Sequence, residues 1–213
     1  MSLKHMRAGH IVYAVDNLEK AINEWREKGF YVEYARKSKK LNAIIYFSQG
    51  PFIELLDVKS IPKIALLIFS LFGGKAMVDR MKLYDITDGN NAILCIEKNE
   101  GGLDDEIEFL ANNGKKGNYL KNNRRKTPDG KLLKWKLFMP FDLTLPFLMS
   151  YYNIDPKPKN FVHPNGVSRV KSLKLVTNKD SIAILNQLLD DDTIILEEGS
   201  KYAEVTEIQY QND

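Results

Sequence analysis

At 213 residues the chain can hold one large domain or several small modules sharing a core. Its 44% hydrophobic and 28% charged residues exclude intrinsic disorder. A formal net charge of +3, from 31 Lys and Arg against 28 Asp and Glu, is too small to make nucleic acid the expected partner.

The N-terminus MSLKHMR has no apolar stretch like a signal peptide's, and His5 within it is set aside from site arguments. Residues 9–15, GHIVYAV, alternate as a strand with His10, Val12 and Ala14 on one face and Ile11, Tyr13 and Val15 on the other. A helix follows, opened by Asp16 or Asn17, striped by Leu18, Ala21, Ile22 and Trp25, and stopped by Gly29. FYVEYA, NAIIYFS and FIELLDV read as three strands, the last two joined as a hairpin. Residues 8–60 are therefore a βαβββ module.

Residues 61–88 form a helical connector of a different kind, strongly apolar and broken at Gly73 and Gly74. It covers a sheet edge or face, or acts as a lid on a pocket. Its longest apolar run, residues 64–72, is far below the roughly 20 needed to span a bilayer, so no membrane partner is expected.

The first pattern recurs over residues 89–155, as AILCIE, the helix LDDEIEFLANNG, then GNYLKN, KLLKWKLFM and LPFLMSYYN. Cys95, the single cysteine, reads as a buried thiol and fits a reducing, cytoplasmic setting. After a loop at 156–166, a third and shorter βαββ repeat occupies 167–210, its last two strands, TIILEE and KYAEVTEIQ, expected as a hairpin. All the modules are expected in one compact unit.

Glu54 in FIELL shares its face with Phe52 and Leu56, and a carboxylate there must be paired, protonated or bound to a cation. His10 is its candidate partner, either as a hydrogen-bonded neighbour or as a second ligand to a divalent ion such as Zn, Mn, Fe or Ni. Laying residues 192–206 over 42–56 puts Glu204 on Glu54, which makes Glu204 a third candidate ligand. His163, in the turn HPNG, is a candidate ligand, general base or loop cap. Arg124 and Arg125 precede a strand carrying Trp135 and suit the head of an anionic, apolar ligand, or else form a solvated basic turn.

HIVYAVDNLEKAINEWREKGF followed by NAIIYFSQGPFIELLD resembles the opening module of the vicinal oxygen chelate superfamily. TPDGKLLKW, LPFLMSYY and FVHPNG are similar to its glyoxalase-like domain branch, so the resemblance covers most of residues 8–180. It implies an α+β fold of repeated βαβββ modules forming curved half-barrel sheets, with the helical segment inserted. It also implies a divalent metal held by a His from a first strand and a Glu from a fourth strand of each module. His10 and Glu54 match those positions in the first module. The second has Asn91 and Ala92 at its strand start and Ser150 near its end, so the tetrad is incomplete, and the third opens near Ser172. The implied function is a metal-dependent isomerase, lyase or dioxygenase on a small organic molecule; beside it, the residues themselves offer Glu54 and His163 as the candidate catalytic groups. Its rival is a metal-free protein that binds or sequesters such a molecule. Either is compatible with a homodimer.

Overall fold

The computed structural model describes residues 3–38, 40–86, 92–199 and 202–212. Its first unit runs β1 (Met6–Val15), α1 (Leu18–Glu27), β2 (Glu33–Tyr34), β3 (Asn42–Ile45) and β4 (Phe52–Asp57). Asn17 starts α1 by accepting the Lys20 N–H at 3.0 Å, and Gly29 ends it at φ +81°, a conformation costly to any side chain. Leu18, Ala21 and Ile22 bury the inner stripe of the helix. β2 is shorter than the six-residue strand expected, because Phe30 and Val32 enter the core and only Glu33 and Tyr34 pair with β3.

The connector is not broken at its glycines. α2 (Lys63–Phe69) passes through a π-helical turn, Ser70–Gly74, directly into α3 (Lys75–Ile86). The second unit is β5 (Ala92–Lys98), α4 (Asp104–Asn112), β6 (Gly117–Lys126), β7 (Leu132–Pro140) and β8 (Phe147–Ser150). The third is β9 (Val167–Thr177), α5 (Lys179–Leu188), β10 (Ile194–Glu198) and β11 (Glu204–Asn212).

The strands order as β10-β9-β11-β5-β1-β4-β3-β2, with β8, β7 and β6 branching from β5. β1 is parallel to β4 and β5 parallel to β8, while β1 and β5 pair antiparallel. The first two units thus repeat one pairing pattern about the β1–β5 seam and form the curled half-barrel of an α+β fold. These two, not the third, enclose the cavity that His10 and Glu54 line.

The third unit departs from expectation. β10 and β11 do not form a hairpin: β10 runs parallel to one edge of β9, and β11 runs antiparallel to the other. β11 is drawn between β9 and β5 by the pairing of Val205 with Ala92, so the hairpin comparison that placed Glu204 on Glu54 has no counterpart in space.

The two larger buried clusters follow from strand alternation. The helix side gathers Ile11, Ile53, Leu55, Leu94 and Ile96 with Leu18 and Ile22 of α1, Leu110 of α4 and Leu185 of α5. The concave side gathers Val12, Ala14, Ile93, Cys95, Leu137, Met139, Phe147 and Met149, with Ala76 of α3. A bulge between Ala8 and His10 shifts the alternation of β1 by one, so Ala8 faces the helices while His10 joins Val12 on the concave side. Gly9 permits it, since a Cβ there would lie 2.9 Å from the Glu97 Cβ.

Gly117 is a sharper test of strand packing. A Cβ there would meet the Met139 carbonyl oxygen at 2.2 Å, and that carbonyl belongs to β7, the partner strand of β6. Gly117→Ala is expected to destabilise by on the order of 2–3 kcal/mol in urea unfolding, with the circular dichroism of the native state retained.

Candidate functional site

The concave faces of the first two units, roofed by α3, enclose a cavity of about 320 Å³. Most of its wall is apolar. Met77 and Met81 come from α3, Met139 from β7 and Met149 from β8, so four of the six methionines of the chain line it. Flexible thioethers make such a wall adaptable to shape. Against it stand His10, Asn42, Glu54, Arg36, Arg80, Arg125 and Tyr152.

β1 and β4 are adjacent and parallel, with Val12 opposite Glu54 and His10 opposite Phe52. The His10 Nε2 lies 3.7 Å from the Glu54 Oε2. Its ring stacks on Phe52 with centroids 4.7 Å apart and meets the edge of Phe147 at 5.4 Å. The Nδ1 atom is buried and has no hydrogen-bond partner among the described residues. Burial, reinforced by the positive fields of Arg125 and Lys157, pulls the His10 pKa down to about 3. The imidazole is therefore neutral at physiological pH. Burial also raises the Glu54 pKa, against the Asn42 hydrogen bond and the fields of Arg125 and Arg36. The Asn42 Nδ2 donates to the Glu54 Oε1 at 2.6 Å.

Arg125 crosses between the units. From β6 it donates through Nη1 to the Ala35 carbonyl at 2.7 Å and through Nη2 to the Tyr46 hydroxyl at 2.6 Å. Burial pushes that hydroxyl up to about 12. A second buried charge group lies further along the β1–β5 seam. Arg7 donates to the Glu97 Oε1 at 2.9 and 3.1 Å, Lys157 approaches the same oxygen at 4.0 Å, and the Lys157 Nζ also donates to the Gly50 carbonyl.

The sequence model of the glyoxalase-like domain family matches residues 9–189. The chain belongs to the glyoxalase-like domain family. It thereby falls within the vicinal oxygen chelate superfamily, whose curled half-barrel the fold reproduces. Among solved structures, this glyoxalase-like chain is similar to a hypothetical protein from Staphylococcus aureus at 13% identity and a TM-score of 0.61, covering 94% of this chain and 88% of the other. It is also similar to the 2,3-dioxygenase LapB from Pseudomonas sp. KL28 at 11% identity and a TM-score of 0.56, covering 98% and 76%. Likeness at these identities shows the fold alone. Methylmalonyl-CoA epimerase from Mycobacterium tuberculosis matches at 16% identity and a TM-score of 0.42, covering 73% of this chain and 93% of that one. A search of curated proteins returned no match.

In the glyoxalase-like cavity, His10, Glu54, Arg125 and Trp135 come together, and Trp135 packs edge-on against Tyr152 at 5.3 Å. Arg124 does not join them. Residues 124–126 continue β6 instead of forming a turn, so alternation turns Arg124 outward and Arg125 inward.

Glu204 is not brought to the pair either. It sits at the start of β11, and β5 and β1 separate β11 from β4, a span of three strand spacings or roughly 14 Å.

His163 lies on the helix side of the sheet, not in the cavity. It is ringed by Phe30, Phe47 and Phe161 with centroids 4.9–5.1 Å away, and its Nδ1 accepts the Tyr31 N–H at 3.0 Å. Burial lowers its pKa while the Tyr46 backbone carbonyl acts in the opposite sense. In the same turn, Asn165 donates to the Lys28 carbonyl, so HPNG clamps the C-terminal end of α1.

Asn42, Tyr46, Tyr152 and the two methionines of α3 did not stand out in the sequence, and Arg36 read as part of a solvated basic turn whereas it lines the cavity. Asn42 and Tyr46 had a usable signal, because alternation along NAIIYF puts both on the face that in β4 carries Glu54.

The donor set fits the metal of the superfamily poorly. A His–Glu separation of 3.7 Å suits two ligands of one ion, but the nearby concave positions on the second unit are Ile93, Cys95, Phe147 and Met149. Cys95 is fully buried, and burial raises its pKa well above the ordinary thiol value. Among the described residues, no three of His, Cys, Asp and Glu cluster as a metal site. The charges acting on the pair, from Arg36, Arg125 and Lys157, are those of cations.

Proposed function

We propose that this glyoxalase-like protein binds a small organic molecule in the half-barrel cavity, through its own side chains and without a metal ion. One observation carries the reading: the polar groups converge beside His10 and Glu54, while the rest of the wall is apolar. The apolar body of the ligand rests on the methionine wall. Its head, an oxygen-bearing anionic group, is drawn by Arg36 and Arg125, whose guanidinium groups suit a carboxylate. A second reading is favoured by the raised Glu54 pKa. A carboxyl tuned upward by burial can take a proton from the bound molecule and return it, with neutral His10 positioned as its neighbour.

The binding reading is tested by titration and by dialysis, and the proton-transfer reading by deuterium uptake from solvent into a bound carboxylate, expected for wild type and lost in Glu54→Gln. In thermal-shift and calorimetric titration with a panel of aliphatic and aryl carboxylates, wild type is expected to be stabilised by about 2.7 kcal/mol at a hundredfold excess over Kd. Arg36→Ser should weaken that binding about tenfold, and Met81→Trp, which fills the cavity, should remove it. In equilibrium dialysis against Zn, Mn or Ni, no stoichiometric binding dependent on His10 is expected. One equivalent retained by wild type, and lost in both His10→Ala and Glu54→Gln, would overturn the metal-free reading.

A further inference from the structure

α2 and the π-helical turn carry a stripe that the fold leaves uncovered. Ile64, Leu67, Ile68 and Leu71, spaced as one helix face, are 64%, 57%, 50% and 75% exposed. Leu66 and Ser70, on the opposite side, are half-buried against the protein.

Within the segment that carries the stripe, charge has one sign. Between Asp57 and Asp79 there is no acidic residue, while Lys59, Lys63 and Lys75 give that segment as many positive charges as the net +3 of the whole chain. Lys59 pairs with Asp16 and Lys75 with Asp79, but these are exposed pairs that contribute little and yield readily to a competing anion.

The four aliphatic side chains offer roughly 400–500 Å², a patch large enough to have a partner. It is about half of the ~800 Å² that each side of a stable protein–protein interface buries. An apolar stripe rimmed by lysines matches instead the pattern of a helix lying in a membrane interface. Among the described residues no helix is long and apolar enough to cross a bilayer, so the helix would lie on it and not span it.

We propose that the α2 arm docks on an anionic lipid surface, its stripe sunk among the acyl chains and its lysines among the headgroups. α3 continues directly from this arm and supplies Met77 and Met81 to the cavity. Docking would therefore set the roof of the cavity beside a reservoir of apolar molecules.

Flotation of the full chain with phosphatidylcholine vesicles, with or without about a third phosphatidylserine, tests this directly. Wild type is expected to float with the anionic vesicles and not with phosphatidylcholine alone. Leu67→Glu with Leu71→Glu should lower the bound fraction at least about tenfold at unchanged Tm, since both positions are exposed. Lys63→Ser with Lys75→Ser, which leaves the stripe intact, should weaken binding about fivefold per lysine. The proposal is overturned by absence of flotation in wild type, by equal flotation on both vesicles, or by flotation that the stripe variants leave unchanged. A dimer in light scattering that the stripe variants dissolve, without flotation, would assign the face to a second copy and overturn it equally.

Discussion

Lowering the pH from 7 to 4 is expected to cost the protein about 3 kcal/mol of stability through His10 alone. In the unfolded chain the imidazole takes up a proton below its ordinary 6.5, whereas in the folded protein it resists until about 3. Between those values the unfolded state binds the extra proton, so stability falls with pH at up to about 1.4 kcal/mol per unit. The His10 contribution is therefore complete above 6.5 and is lost as pH falls toward 3. Glu54 acts with the opposite sign. Its raised folded pKa makes its contribution present in acid and lost as pH rises through the folded value, which partly offsets His10. His163, also pulled down by burial, adds to the His10 direction. The comparison that isolates His10 is wild type against His10→Gln in urea unfolding at pH 7 and at pH 4. The variant should lose about 3 kcal/mol less over that interval. If both lose equally, His10 is not held neutral by the fold.

Much of this fold is written in local pattern. Alternation in β1 and β4 put His10 beside Val12 and Glu54 beside Phe52 on the concave face, and the caps at Asn17 and Gly29 bounded α1. What escaped the sequence was decided by contacts far apart in the chain. A glutamate at the start of β11 looks like one in β4 until Val205 pairs with Ala92 and carries its strand to the other side of the β1–β5 seam. The HPNG turn looks equally suited to a catalytic mouth and to a clamp. Only the approach of Tyr31 and the ring of three phenylalanines assigns His163 to the clamp. Arg124 and Arg125 were indistinguishable as a pair in a basic turn. Extending β6 through Lys126 separates them by face, and the inward one finds its acceptors ninety and seventy-nine positions away.

Replacing Arg125 is expected to produce the largest loss of any single change in the cavity wall. Its guanidinium joins β6, the outer strand of the second unit, to segments following β2 and β3 of the first, so it closes the open side of the half-barrel. Arg125→Met keeps much of the side-chain volume but leaves the Ala35 carbonyl and the Tyr46 hydroxyl without their donor in a buried setting. A loss on the order of 3 kcal/mol follows, which for a chain of this length lowers Tm by about 6–12 °C. Tyr46→Phe, which removes only the hydroxyl contact, should cost about 1 kcal/mol. A structural tie alone would stop there. Arg125 also lowers the Glu54 pKa by its charge, so the Met variant should raise that pKa further, measurable by carbon NMR of the labelled carboxyl. Arg125→Lys separates the two roles. It keeps the charge but not the planar fork that reaches both acceptors, so it should lose most of the stability while moving Glu54 less than the Met variant does. Equal Glu54 shifts in the Lys and Met variants would show that Arg125 acts on the carboxyl through cavity geometry and not through its charge.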